Sequence, residues 1–319
     1  MLSLRYQLAC ALAAAALLAL LGWPEAASGG VRGGLATCGE VIIPSLFPFF
    51  VLSAAVSELG IPQRLARRLA EPMSRLFGVS GAGASALVLG VLGGYPLGAA
   101  SAADMAGRGV ITSEECSRLL GFCNNSGPAF LVGAAGVGVF GSVRAGIALY
   151  ACHVAAAVTS GVLMRGAHTA PAAAAPDVPE VRPGALARAV TASVKNILNV
   201  CGFVVIFSAV CSALDTSGVL PRLAGELAVR THLELGAARA ALTGFFELGG
   251  GISALRGCAP TRLNFALCAA MIGWGGVSVH MQTAAAVAAA NVKTARHLAG
   301  RALSAALSAA YALAAYALI

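Results

Sequence analysis

The chain alternates apolar runs with short charged stretches. Residues 8–21, 41–59, 143–164, 194–214, 263–279 and 298–318 are each apolar over most of the roughly 20 residues that cross a bilayer as helix, and each predicts a membrane helix. Three further runs are interrupted. Residues 82–106 are cut at Gly93-Gly94-Tyr95-Pro96, 237–254 at Glu247-Leu248-Gly249-Gly250-Gly251, and 119–140 at Cys123-Asn124-Asn125-Ser126-Gly127-Pro128. Glycine and proline break helices. Backbone at membrane depth must find its hydrogen bonds inside the protein or line a wet cavity. Breaks that carry amides, a hydroxyl and a carboxylate there predict a binding site near the bilayer midplane.

The pieces of 82–106 are about 12 residues each, roughly 18 Å of helix, too short to cross alone. Both flanks are basic, with Arg64 and Arg75 before and Arg108 and Arg118 after. Cytoplasmic loops carry the basic excess, so a re-entrant hairpin that returns to the same side is expected; a kinked crossing helix is the alternative. Residues 62–77 set Leu65, Leu69, Met73 and Leu76 on one helical face with arginines around it, the pattern of a helix lying in the interface. The run at 8–21 reads as an uncleaved first helix, with a cleaved signal peptide as the alternative. Pro171, Pro176, Pro179 and Pro183 mark a linker.

Beyond the linker the same order recurs: span, surface helix, interrupted hairpin, two spans. Ser57-Glu58-Leu59-Gly60-Ile61-Pro62 corresponds to Thr216-Ser217-Gly218-Val219-Leu220-Pro221, and both interruptions contain Gly-Gly. The expected fold is all-α: a polytopic membrane protein with two repeats containing re-entrant helical hairpins and unwound helices. The divisions are an N-terminal helix and loop (1–39), a first repeat (40–164), a Pro/Ala-rich linker (165–193) and a second repeat (194–319). An odd number of full crossings per repeat makes the halves inverted. Most basic residues then fall inside, among them Arg64, Arg118, Lys195, Lys293 and Arg301, with Arg256 and Arg262 on the other side.

Composition agrees. Of 319 residues 58% are hydrophobic and only 11% charged, against about 25% charged in soluble domains; mean hydropathy is +0.83. The net charge of +8 sits in loops between apolar runs, as orientation and anionic lipid require. No aromatic–basic interleaving suggests a nucleic-acid partner. The nine cysteines lack disulfide or metal spacing, and no cofactor is implied. No nucleophile–base pair recurs at membrane depth, so an enzyme is not expected.

Asn124, Asn125 and Ser126 are the first candidates for solute contact, because amides both donate and accept. The duller alternative is that they satisfy broken helix ends. Tyr95 at the first hairpin tip could stack on a ring or anchor packing. Glu247 is a costly carboxylate at membrane depth and a candidate site for a coupling proton or sodium ion; pairing with Arg256 is the alternative. Arg256 could attract an anion, and Asn264 is a candidate partner of the first unwound segment. His280 and Asp104 read as span-end residues.

Pro44-Ser45-Leu46-Phe47-Pro48-Phe49-Phe50, Gly94-Tyr95-Pro96-Leu97-Gly98-Ala99, Phe122-Cys123-Asn124-Asn125-Ser126-Gly127-Pro128 and Gly133-Ala134-Ala135-Gly136-Val137-Gly138 resemble the sporulation integral membrane protein family of YlbJ type, which carries the "nucleoside recognition" or Gate domain. The resemblance covers about residues 40–281. It implies a core like that of concentrative nucleoside transporters, in the membrane of an endospore former. It further implies a role in moving dipicolinic acid across the outer forespore membrane. The leading expectation is a permease for a small, polar, anionic solute. The alternatives are a structural or assembly protein of sporulation, or a nucleoside-type transporter. The sequence leaves the choice between monomer and homo-oligomer open.

Overall fold

A computed structural model describes residues 4–166, 183–290 and 292–318. Among the described residues the regular structure is entirely helical. Helix α1 (Leu4–Gly22) is followed, across Trp23, by α2 (Pro24–Thr37), which runs through a π turn at Cys38–Ile42 into α3 (Ile43–Glu58). Proline opens α2 at a position where its missing N–H costs nothing. The expectation of a loop before residue 40 needs correction, because 24–37 is helical. Gly30 and Gly34 make a packing seam. A Cβ at Gly30 would lie 2.6 Å from the Ser208 carbonyl oxygen, and one at Gly34 would lie 2.9 Å from Val205 Cα, so small residues let two helix backbones touch.

The surface helix α4 (Ile61–Pro72) continues as a π turn at Met73–Phe77. Met73 is buried and Leu69 half-buried, Arg64, Arg67 and Arg68 are exposed, and Leu76 faces outward. Next come α5 (Gly83–Gly93) and α6 (Leu97–Gly107), joined by a tight turn at Gly94-Tyr95-Pro96. The two legs fold back on one another: a Cβ at Gly90 would lie 3.2 Å from Gly98 Cα. This is the hairpin that the cut apolar run predicts. Helix α7 (Ser113–Leu119) ends before an unwound stretch through Gly127, and the chain resumes as α8 (Phe130–Phe140). Helix α9 (Val143–Leu163) closes the first half.

Most of the proline-rich linker falls on 167–182, outside the described residues. Helix α10 (Ala185–Thr216) begins nine residues before the expected boundary at 194. The second half continues with α11 (Val219–Thr231), a second hairpin of α12 (Leu235–Phe246) and α13 (Leu248–Ala254), then α14 (Arg262–Trp274), α15 (Gly276–Val287) and α16 (Ala295–Ala315). The run expected as one span over 263–279 is therefore two helices. They part at Gly275 and Gly276, both at positive φ (+87° and +84°), where side chains are strained.

The order of elements is thus used twice: long helix, surface helix, hairpin, broken helix, long helix. The matching sequence at 57–62 and 216–221 does the same work in each half, since Gly60 (φ 69°) and Gly218 (φ 79°) start α4 and α11 from the left-handed conformation. Among the described residues five stretches are long and apolar enough to cross a membrane: Pro24–Val56, Val143–Leu163, Ala185–Thr216, Arg262–Ala290 and Ala295–Ala315. Large apolar side chains such as Leu18, Ile147, Leu163 and Leu198 point outward, while Arg301, Asn124, Asn125, His153 and Glu247 are buried. An apolar exterior with the polar and charged groups turned inward suits a lipid solvent.

Candidate functional site

The unwound stretch exists because the carbonyl of Cys123 is wedged into the first hairpin. A Cβ at Gly90 would come within 1.7 Å of that oxygen, and one at Gly98 within 2.1 Å. Past this point α7 cannot continue, and its open backbone is held locally. The Asn125 amide donates to the Phe122 carbonyl (2.8 Å), and the Ser126 N–H donates to His153 Nε2 on α9 (3.0 Å). Gly127 packs on the hairpin tip, because a Cβ at Gly94 would lie 2.9 Å from its nitrogen.

The second half builds its counterpart without side chains at the break. At the tip of the second hairpin Glu247 caps α13, its two carboxylate oxygens accepting from the Gly249 N–H (2.8 Å) and the Gly250 N–H (2.5 Å). Such an N-cap places an anion against the positive end of the helix. Gly276 seats against this tip: a Cβ there would lie 3.1 Å from Leu248 N and 3.2 Å from the Phe246 carbonyl oxygen.

Both tips and both breaks converge on one cavity of about 50 Å³, lined by Tyr95, Ser126 and Gly127 from the first half and Glu247, Ser278 and Gln282 from the second. Ile42, Leu46, Val200 and Val204 of the long helices complete its apolar wall. A volume of that size holds one or two waters. The halves are stitched together around it. Asn124 Nδ2 donates to Thr283 Oγ1 (2.8 Å), and that hydroxyl donates to the Val279 carbonyl (2.8 Å). The Tyr95 hydroxyl donates to the Ile272 carbonyl (3.1 Å). Asn124 Oδ1, Gln282 Oε1 and His153 Nδ1 are buried with no partner; in an apolar surrounding an unmade hydrogen bond costs on the order of several kcal/mol.

Of the residues singled out in the sequence, Tyr95, Asn124, Asn125, Ser126 and Glu247 lie at this junction. Arg256 and Asn264 do not line the cavity. Arg256 is exposed beside Gly138, so it is not the partner of buried Glu247. Asn264 is spent at the start of α14, where its side chain donates to the Ala259 carbonyl (2.8 Å). The break that matches 124–128 in the order of elements is Gly275-Gly276, farther along.

Sequence reasoning missed Arg301. Expected among the basic residues on the inner side of the membrane, it lies on α16 and is fully buried. Its Nη1–H donates to the Tyr95 hydroxyl (3.1 Å), and its Nη2–H reaches Asn125 Oδ1 at 3.4 Å. His297, one turn earlier, contacts the Leu120 carbonyl (3.2 Å) and His280 (3.0 Å), so His280 is part of an interior chain and not a span-end residue. The signal was present: His297, Arg301, Ser304 and Ser308 fall on one helical face, and all four are buried.

No protein-family model matches the chain, and no solved structure matches it. The sporulation integral membrane protein YlbJ of Bacillus subtilis is 31% identical to it over 301 residues, covering 85% of this chain and 72% of that protein. The chain belongs to the YlbJ family of sporulation integral membrane proteins. This agrees with the resemblance read from the four motifs and with the five membrane-length stretches. Membership of the YlbJ family makes the chain a multi-pass integral membrane protein with a part in sporulation.

Proposed function

We propose that the protein is a permease for a small, polar, anionic metabolite, with dipicolinic acid as the first candidate and the outer forespore membrane as its location. One observation carries this reading: two hairpin tips and the segments beside two helix breaks meet around one small cavity, into whose largely apolar wall Tyr95, Ser126, Glu247, Ser278 and Gln282 bring polar groups. Broken helices and tight hairpins at membrane depth are costly unless they line a pathway. The repeated order of elements supports two inverted halves, like the core of concentrative nucleoside transporters, that rock against one another to expose the cavity alternately. A cavity of about 50 Å³ is too small for a metabolite, so loading requires the tips to part. Glu247, at the second tip, is the group that a coupling proton or sodium ion would meet through the same cavity.

Reconstitution in liposomes with labelled dipicolinate and a panel of nucleosides tests the reading. Saturable dipicolinate uptake above protein-free vesicles is expected; saturable nucleoside uptake in its place would reassign the substrate. No saturable flux of any solute, with the protein folded, would leave an assembly role in sporulation. The small volume of the cavity, about 50 Å³, is the observation that favours that second reading. Asn125→Ala and Glu247→Gln separate the two: a permease loses flux while its abundance stays unchanged, whereas an assembly protein fails only when it disappears.

A further inference from the structure

Helix α16 is long enough to cross a membrane, yet it carries a fully buried arginine. Arginine stays protonated at any ordinary pH. Burying a charge costs several kcal/mol unless a partner of opposite sign accompanies it. Among the described residues no carboxylate lies within ion-pair distance of Arg301. Its partners are a neutral phenol and a neutral amide, the second at a long 3.4 Å, and its Nε–H is buried with none. The histidines around it, His153, His280 and His297, supply no negative charge. The fold has placed a cation in its interior and omitted the anion.

Tyr95 connects this cation to the cavity. Its side chain lines the cavity wall, and its hydroxyl accepts from Arg301, which does not itself line the cavity. Tyr95 is also the tip residue of the first hairpin, the element whose displacement loads the site in the permease reading. We infer that Arg301 selects the charge of the solute and that Tyr95 is its cover. When the first tip moves, the phenol leaves the guanidinium, and a carboxylate of the solute takes its place through the paired, fork-like contact that arginine offers. Asn125 holds the guanidinium in register from the other side. The ligand class is a small organic carboxylate, and the inference rests on the permease reading.

The test is binding to the purified full chain in nanodiscs, read by titration calorimetry, with dipicolinate as probe and the uncharged pyridine-2,6-dicarboxamide as its neutral match. The wild-type chain should prefer the dicarboxylate. Arg301→Gln should cut that preference by about 10- to 100-fold, the range of a lost charge-assisted hydrogen bond, while diamide binding changes little. Tyr95→Phe removes the competing hydroxyl and should raise dicarboxylate affinity about threefold, a fraction of one neutral hydrogen bond. Arg301→Lys keeps the charge without the fork and should keep the sign of the preference with weaker binding. An unchanged preference in Arg301→Gln overturns the inference. Should that variant fail to fold, unchanged or weaker dicarboxylate binding in Tyr95→Phe overturns it. Absence of flux in wild-type liposomes overturns the permease reading instead, so the two failures are distinct.

Discussion

In the first half the broken helix is held by side chains: Asn125 returns to Phe122, His153 receives the Ser126 N–H, and Asn124 reaches across to Thr283. In the second half the break is two glycines at positive φ with no side chain of their own. The buried charges at the junction, Glu247 and Arg301, both belong to that second half. At the junction itself one half supplies neutral donors and acceptors that fix backbone and the other supplies the charge; the first half's own buried Glu115 and Arg118 on α7 lie outside the cavity lining. A repeated order of elements therefore does not mean repeated chemistry. The half that can do without side chains at its break has put charge at its hairpin tip and on its last helix.

This contrast can be broken at several levels. The largest effect should come from geometry that the halves share. Gly90→Val and Gly251→Val each drive a side chain into backbone, the Cys123 oxygen at 1.7 Å from the first Cβ and Gly244 Cα at 2.2 Å from the second. Each should cost more than about 4 kcal/mol and leave no monodisperse protein in size-exclusion chromatography. Normal folding of either variant would show that its hairpin is not seated as described. Next, Asn124→Ala removes the donor to Thr283 and one of the ties between the halves; it should cost about 1–3 kcal/mol in unfolding from mixed micelles and lower uptake as well. Glu247→Gln keeps one acceptor for two N–H groups and should cost about 1–2 kcal/mol while abolishing uptake. If Asn124→Ala abolished transport at no cost in stability, the division between a holding half and a charged half would fail. The smallest effects are Gly60→Ala and Gly218→Ala, expected at about 1 kcal/mol each from the left-handed conformation. A large difference between the two would show that the surface helices do not start alike.

Much of this was legible in the sequence. Gly94-Tyr95-Pro96 and Asn124-Asn125-Ser126-Gly127-Pro128 announce breaks because proline and glycine remove helix stability where apolar composition demands helix. The Gly-x-x-Pro spacing at Gly218 and Pro221 announces a helix start. Three features were hidden, each for a physical reason. Residues 24–37 look like a loop because Gly29, Gly30, Gly33 and Gly34 have poor helix propensity, and only contact with α10 shows that Gly30 and Gly34 form a packing face. Gly275-Gly276 lacks a proline or polar neighbour, so it passes for a small-residue contact within one span. Arg301 was read by the rule that basic residues bound membrane helices, and hydropathy averaged along a helix conceals one polar face. Asn264 was chosen by counting from the start of its span, whereas the break that matters lies a full helix later.

The central claim is that the junction of tips and breaks opens to each side of the membrane in turn. Ser278 lines the cavity and is 1% exposed. In a chain whose nine native cysteines are replaced, Ser278→Cys should be alkylated by a membrane-impermeant maleimide in both right-side-out and inverted vesicles, and dipicolinate should slow the reaction in both. No labelling from either side, with the protein folded and inserted, would contradict the account.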